Sequence, residues 1–406
     1  MQCRFCGNTN LHEVVNLGHQ PPSNSFLTRE KLDLPEVTYP LRLYVCPSCW
    51  LVQLPEIAKA ADIFTENYPY YSSQSPANVS HAKEYVEMML SRFFPNSNSK
   101  PVVLEIGSND GYMLKQFKKN DCLVQGIDPA EGPARLARLN GIPTIVDFFS
   151  KDMATHPAIE GEYNLICSIN TIAHQPDIND CVEGMKIALA PNGVITAEFP
   201  HLMKMIDGCQ FDTIYAEHFS YFSLVTICAI FEKHLLSVFD VDEIPEHGGS
   251  LRIYAEHSPS CRYTDRLREL LLREAVRGMF DLNYYADFQS KVSRIKRDLV
   301  NFLINIPDDQ IVAGYGAPAK ANTLLNCCSI GSDLLPFVVD KSPHKVGKYL
   351  PGSHIPVYDV NELWQYQPDY VLIMPWNLKK EIMEQLKDIR QWGGKFVIAI
   401  PNLETI

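Results

Sequence analysis

Basic residues are in deficit in this 406-residue chain: 36 lysines and arginines face 48 aspartates and glutamates, for a formal net charge of -12. A face that grips nucleic-acid phosphates needs the opposite balance, so nucleic acid is excluded as a partner. No long run of one charge occurs, and no charged interaction tail is expected. Long apolar runs are missing too. Nothing approaches the roughly 20 residues of a membrane helix, so no membrane is expected. The opening "MQCRFCGNTN" has no apolar segment flanked by positive charge, so no leader is expected and a cytoplasmic setting is. Also absent is the G-x-G-x-x-G spacing that cradles a dinucleotide pyrophosphate, which argues against nicotinamide chemistry. What is present is 46% hydrophobic content, enough to bury real cores in two to four domains.

Cysteine is plentiful, with twelve residues, and without an export signal these read as thiols that are free or bound to metal. Four fall into two knuckles, Cys3-x-x-Cys6 and Cys46-x-x-Cys49. Each knuckle can turn two thiolates toward one ion, and together they close a tetrahedron around Zn²⁺. With all four positions filled by sulfur, the metal staples a small domain and leaves no open site for catalysis. The loop between the pairs carries "GHQPPSNSF".

The stretch "KPVVLEIGSNDGYMLKQFKKN" reads as a short apolar strand, Val102 to Ile106, then a glycine turn and an amphipathic helix. That unit opens a doubly wound α/β domain, which binds ligands beyond the C-terminal ends of its strands. Here the turn is acidic: Glu105 and Asp110 accompany Gly107, Asn109 and Gly111. Carboxylates repel a phosphate and suit a cationic or amino-bearing ligand. A second strand, "LVQGIDPA", ends in Asp128, placed to accept ribose hydroxyls. "PTIVDFF" offers Asp147 and Phe148 for an adenine edge and face, and "YNLICSINTIAHQPD" ends with Asn170 and His174. Together these describe an S-adenosylmethionine site.

"TIYAEHFSYFSL" (Thr213 to Leu224) crowds Tyr215, Glu217, His218 and Tyr221 together, and titratable groups cluster where protons are moved. Tyr221 also continues an aromatic run that packing alone would explain. From about Thr264 to Leu303 the spacing is helical, with Phe288, Val292, Ile295, Leu299 and Phe302 on one face. A second strand, glycine turn and helix follows in "QIVAGYGAPAKANTLLN". Its turn carries no acid and lacks a downstream acid at the dinucleotide spacing, and Lys320 at the helix start makes an anion site. Apolar strands in "LLPFVVD", "YVLIMP" and "KFVIAIP" extend it. The expected architecture is α/β throughout: a zinc-binding module at 1–78, a Rossmann-like methyltransferase domain at 79–262 and a second Rossmann-like domain at 263–406.

The paired knuckles, "YYSSQS", "EIGSNDG", "GIDPA", "NTIAHQPD", "YAEHFSYFS", "HGGSLRIY" and "GYGAPAKANTLLN" run nearly from end to end. In these pieces the chain resembles the sugar C-methyltransferases of deoxysugar biosynthesis, of the tetronitrose and mycarose type. The family's usual ribose acid is glutamate where this chain has Asp128; the charge is kept and the reach is shorter. The resemblance implies a nucleotide-linked 4-keto-6-deoxy sugar as substrate, methylated at C-3. No obligate protein partner is evident from the sequence. Such a carbon becomes nucleophilic when a positioned base removes its proton and the enolate is stabilised. Carried over by motif position, the acid-base set is Tyr215, Glu217 and His218, joined by His174 and by one of Tyr70 or Tyr71, of which Tyr70 is taken first. Sequence leaves open which histidine is the base; His218 is taken first because it shares a motif with Glu217. Tyr71, Ser72, Tyr221, Tyr315, Lys320, Asn322, Asp340 and His354 form the expected substrate set. An O- or N-methyltransferase and a non-catalytic nucleotide-sugar binder are the rival readings.

Overall fold

The computed structural model describes residues 1–57, 68, 70–95, 100–259 and 262–406; the first part of the stretch from Glu66 to Ser75 lies outside them. Among the described residues the first sheet has four strands, in the order β1 (His12–Gln20), β2 (Tyr39–Val45), β3 (Val52–Gln53) and β9 (Ser220–Tyr221). Its fourth strand comes from far along the chain. All its pairings are antiparallel.

Helix α1 (Pro76–Phe93) buries Ala82, Tyr85, Val86 and Met89, the face that the periodicity predicts. Spacing alone suggests Ser80 as its N-cap. The helix in fact starts at Ser75, whose side chain accepts the Asn78 N–H at 3.3 Å, because Pro76 presets the first turn.

Strands β4 (Val102–Ile106), β5 (Leu123–Ile127), β6 (Thr144–Ile145), β7 (Tyr163–Ile169) and β8 (Leu189–Pro200) are parallel and alternate with helices. Next in the chain come β9 (Ser220–Tyr221) and helix α2 (Leu224–Lys233), then β10 (Leu236–Ile244) and β11 (Ser250–His257). The last two complete a seven-stranded sheet ordered β10-β11-β8-β7-β4-β5-β6. Strand order reverses between β4 and β7, and a ligand crevice opens at such a point. Strand β9 instead leaves this domain and pairs antiparallel with β3, Val52 opposite Tyr221 and Gln53 opposite Ser220.

Two helices, α3 (Asp265–Val276) and α4 (Phe288–Ile304), form the connection. Phe288, Val292, Ile295 and Leu299 of α4 are buried as their spacing predicts. The third sheet runs β14 (Val357–Asp359), β13 (Val338–Asp340), β12 (Val312–Tyr315), β15 (Tyr370–Ile373), β16 (Lys395–Ile398) and β17 (Glu404–Thr405). It is parallel except for its last pairing, and helix α5 (Ala319–Cys328) follows its first strand. One apolar cluster runs through all three sheets, holding Leu43, Phe199, Ile214, Leu325 and Val338.

The loops beyond the second and third sheets meet face to face. Trp376, just past β15, donates its indole N–H to Asp212 at 2.7 Å and presses on Gly248 before β11. The Tyr71 ring stacks on His344 with centroids 5.3 Å apart. The cleft between them is where the candidate residues gather.

Candidate functional site

The four cysteine sulfurs lie within 4.8 Å of one another. Cys3 and Cys49 are 3.5 Å apart and Cys6 and Cys46 3.6 Å. A tetrahedron with Zn–S bonds of about 2.3 Å requires sulfurs about 3.8 Å apart, so the donors fit the ion. The two knuckles are built alike: Gly7 N–H bonds back to Cys3 carbonyl at 2.9 Å, and Trp50 N–H to Cys46 carbonyl at 2.8 Å. Both residues take left-handed backbone, at φ 78° and 61°. Gln53, wholly buried on β3, donates its amide N–H to Cys3 Sγ at 3.2 Å, tying the metal site to the strand that pairs with β9.

At the crevice, Gly107 turns at φ 73°, and a Cβ there would stand 2.3 Å from Thr171 Oγ1, so no other residue fits. Asp128 is buried; its oxygens accept the N–H groups of Asn109 at 2.8 Å and Ala130 at 2.9 Å. Burial raises its carboxyl to about 6 despite those two bonds. Burial, then Asp128 and Asp110, push the Glu105 carboxyl well above its ordinary range. Glu105 Oε2 and Asp110 Oδ1 have no hydrogen-bond partner. A buried acidic edge with open oxygens fits the α-amino group, sulfonium charge and ribose of S-adenosylmethionine. Asp147 is exposed and accepts the Phe148 N–H, whereas Phe149 is the buried ring of that strand end. Asn170, just past β7, contacts the His247 ring at 3.2 Å.

The segment around Tyr71 lies over this turn. Ser72 N–H donates to Asn109 Oδ1 at 2.8 Å, Ser73 N–H to Asp110 Oδ2 at 3.1 Å, and Asn109 donates back to the Tyr70 carbonyl. Tyr70 itself is exposed, its phenol oxygen accepting the Asn78 amide at 3.0 Å. Tyr68, which sequence reasoning passed over, has its phenol raised well above its usual range by burial and then by Glu217, Tyr215 and Tyr70.

The opening motif is held from several sides. Glu274 of α3 is buried; it accepts the first two N–H groups of α2, from Leu224 at 2.7 Å and Val225 at 3.0 Å, and meets His201 Nε2 at 2.7 Å. His218 Nδ1–H donates to the Thr213 carbonyl at 3.0 Å, and His174 Nδ1–H to the Glu217 carbonyl at 2.7 Å. Carbonyls only accept, so both rings carry the Nδ1 proton and present Nε2 as a base. Their centroids are 4.7 Å apart, and Tyr215 lies 4.0 Å from His218. Burial and then the neighbouring His174 drive the His218 conjugate acid well below its ordinary value; burial takes His174 to about 4. Glu217, also buried, rises to about 7. The Tyr215 phenol is held protonated by burial and by Glu217. Tyr221 is buried with its ring centroid 6.1 Å from that of His218.

On the opposite wall, Lys320 donates to Asn377 at 2.9 Å and lies 4.9 Å over the Trp376 ring. Gly316 turns at φ 85° just after Tyr315. Asp340 accepts the Ala317 N–H at 2.7 Å and the Ser342 N–H at 2.8 Å. It thus occupies, toward the second glycine turn, the place Asp128 holds toward the first, although the sequence reading found no such acid there. Asn322 donates to the Ser23 carbonyl at 2.6 Å, and His354 meets Glu36 at 2.7 Å. Both lie in the seam with the zinc module. Sequence reasoning also missed Asn24, which donates to Glu217 Oε1 at 2.8 Å.

Three family descriptions match in succession: "Putative zinc binding domain" over residues 3–64, "Methyltransferase domain" over 79–238 and "C-methyltransferase C-terminal domain" over 245–401. The chain is similar to C-methyltransferase NovU of Streptomyces niveus, 33% identical over 410 residues that cover 100% of this chain and 96% of that one. A shorter match is to ubiquinone biosynthesis O-methyltransferase of Histophilus somni (strain 2336): 24% identity over 110 residues, 25% of this chain and 45% of that one. Among solved structures, magnesium protoporphyrin IX methyltransferase of Synechocystis PCC 6803 with bound SAM aligns at TM-score 0.35 and 13% identity over 45% of this chain and 82% of that one. The 1,6-didemethyltoxoflavin-N1-methyltransferase of Burkholderia thailandensis aligns at TM-score 0.35 and 17% identity over 46% of this chain and 80% of that one.

Proposed function

The chain belongs to the C-methyltransferase family, and from that premise we propose that it methylates a nucleotide-linked 4-keto-6-deoxy sugar at C-3, the carbon beside the ketone. S-adenosylmethionine, when bound at the acidic edge of the first crevice, supplies the electrophilic methyl. The observation that carries the reading is the pair of neutral imidazoles, His218 and His174, each fixed through Nδ1 to a backbone carbonyl of one motif.

In this reading His218 Nε2 removes the proton α to the ketone. Tyr215, protonated in its buried setting, donates to the oxygen on which the enolate charge develops, and it brings no cation that would hold the proton back. Glu217 orients a sugar hydroxyl with the oxygen that Asn24 leaves open. Tyr68 and Tyr70 close the rim beside the cofactor edge. Lys320, at the start of α5, receives the diphosphate across the cleft. A poised base in fixed contact with its carbon is worth typically 10²–10⁴-fold in rate.

Solvent exchange tests this directly. The protein is placed in D₂O with a nucleoside-diphosphate 4-keto-6-deoxyhexose and no S-adenosylmethionine, and deuterium at C-3 is followed by mass spectrometry. Wild type exchanges, and His218→Ala loses about 10²–10⁴-fold of that rate. Methyl gain at the same carbon follows when the cofactor is added. Methyl transfer to oxygen or nitrogen without exchange would overturn the proposal.

A further inference from the structure

We propose that Asn24, on the loop between the two cysteine pairs, is a positioning residue for Glu217, so that the zinc module completes the proton-transfer pocket as well as bracing the fold. The inference rests on the reading above that Glu217 serves that pocket.

Asn24 and Glu217 are 193 positions apart, yet the amide N–H meets Glu217 Oε1 at 2.8 Å. Glu217 Oε2 is buried and has no partner. One oxygen is therefore fixed from the zinc module and the other is left for a ligand. The loop cannot drift: Ser23 carbonyl accepts the Asn322 amide at 2.6 Å, and Leu27 N–H donates to Tyr349 carbonyl at 2.9 Å. Both anchors belong to the third unit, so Asn24 reaches Glu217 only when all three units are closed together.

Among the described residues the Asn24 amide is the one donor that meets the Glu217 carboxylate. The groups that face it are the phenols of Tyr68, Tyr215 and Tyr221, the His218 ring beside it in sequence, and the His174 ring on its backbone carbonyl. Among the described residues no lysine or arginine pairs with it. Burial drives the carboxyl up, and the Asn24 N–H is what draws it back down. An amide carries no charge of its own, so it orders the carboxylate without adding a cation that would oppose proton removal nearby.

The test is a carboxyl ¹³C NMR titration of the zinc-loaded full chain, without substrate. The Glu217 resonance is identified by its loss in Glu217→Gln. In Asn24→Ala, with zinc content checked, its midpoint rises by about 1–2 pH units, the worth of a hydrogen bond to a charged group. In the isosteric Asn24→Asp it rises further, because a second carboxylate faces the first. The limb of the pH–rate profile that Glu217→Gln removes moves by the same amount, with KM for the methyl donor unchanged. A midpoint that stays put in zinc-loaded variants overturns the inference, as does loss of zinc in both, which would make Asn24 a fold residue. If the midpoint moves while wild type exchanges no keto sugar, the substrate reading fails and this one stands.

Discussion

Glu217 is held where a carboxylate is costly to keep, and that cost can be measured. Its folded midpoint, about 7, lies above the ordinary 4.5. The folded state therefore holds the extra proton between those values, and stability falls as pH rises from about 4.5 through about 7 and stays lower beyond. Glu217→Gln keeps the bond from Asn24 and removes the buried charge. Denaturant unfolding at about pH 8 should find this variant more stable than wild type by about 1–3 kcal/mol. The difference should vanish below pH 4.5; equal stability at pH 8 would mean that the carboxylate is not strained. At this scale the sequence was informative where spacing is short. Tyr215, Glu217 and His218 meet because they are neighbours, and His174 because a strand delivers it to the same edge. Asn24 was invisible, since nothing local marks a residue that bonds 193 positions away. Tyr68 was equally hidden, because its place beside Glu217 depends on how one short segment meets the glycine turn.

Among the elements, the zinc knuckles were legible from four letters each, since tetrahedral sulfur ligation demands paired thiolates on tight turns. Strand β9 was not. Two residues carry no period-2 signal, and their partner β3 is equally short. Yet this pairing links the cysteine cluster to the segment bearing Glu217 and His218, through Gln53 on Cys3 Sγ and through Leu54 N–H on the Phe219 carbonyl at 3.0 Å. Cys46→Ser, which alters a fully buried ligand, should therefore do more than release zinc. Hydrogen exchange should quicken at Ser220 and Tyr221 by at least tenfold, equivalent to about 1.4 kcal/mol of local stability, and methyl transfer should fall with it. Unchanged protection at those two amides would confine the metal's effect to the first fifty residues.

Over the whole molecule, both α/β units could be read because each begins with an apolar strand and a glycine turn. Their mutual placement could not, since it depends on contacts such as Trp376 to Asp212, 164 positions apart. Asp212 is fully buried, Oδ1 has no partner, and burial lifts its carboxyl to about 6 even with the indole bond and nearby Lys320 lowering it. Trp376→Phe removes the side-chain donor to Oδ2 and should destabilise the protein by about 1–3 kcal/mol at about pH 8. Removing that donor raises the folded midpoint further, so the penalty should shrink below pH 6, where the carboxyl is neutral and cheaper to leave alone. Thermal unfolding at the two pH values checks this. A penalty independent of pH would assign the loss to ring packing over Lys320.

A ribosome delivers Val52 and Gln53 long before Ser220 and Tyr221, so the sheet that the cysteines brace waits one strand short while about 170 more residues are made. At about 5–20 residues per second that is roughly 10–30 s, with the β3 edge open to any passing strand. The last piece to arrive is the motif bearing the histidine and the glutamate. Synthesis cut short before it leaves the first sheet unfinished, and synthesis cut short after it leaves that sheet whole but the Asn24 loop without its anchors in the third unit.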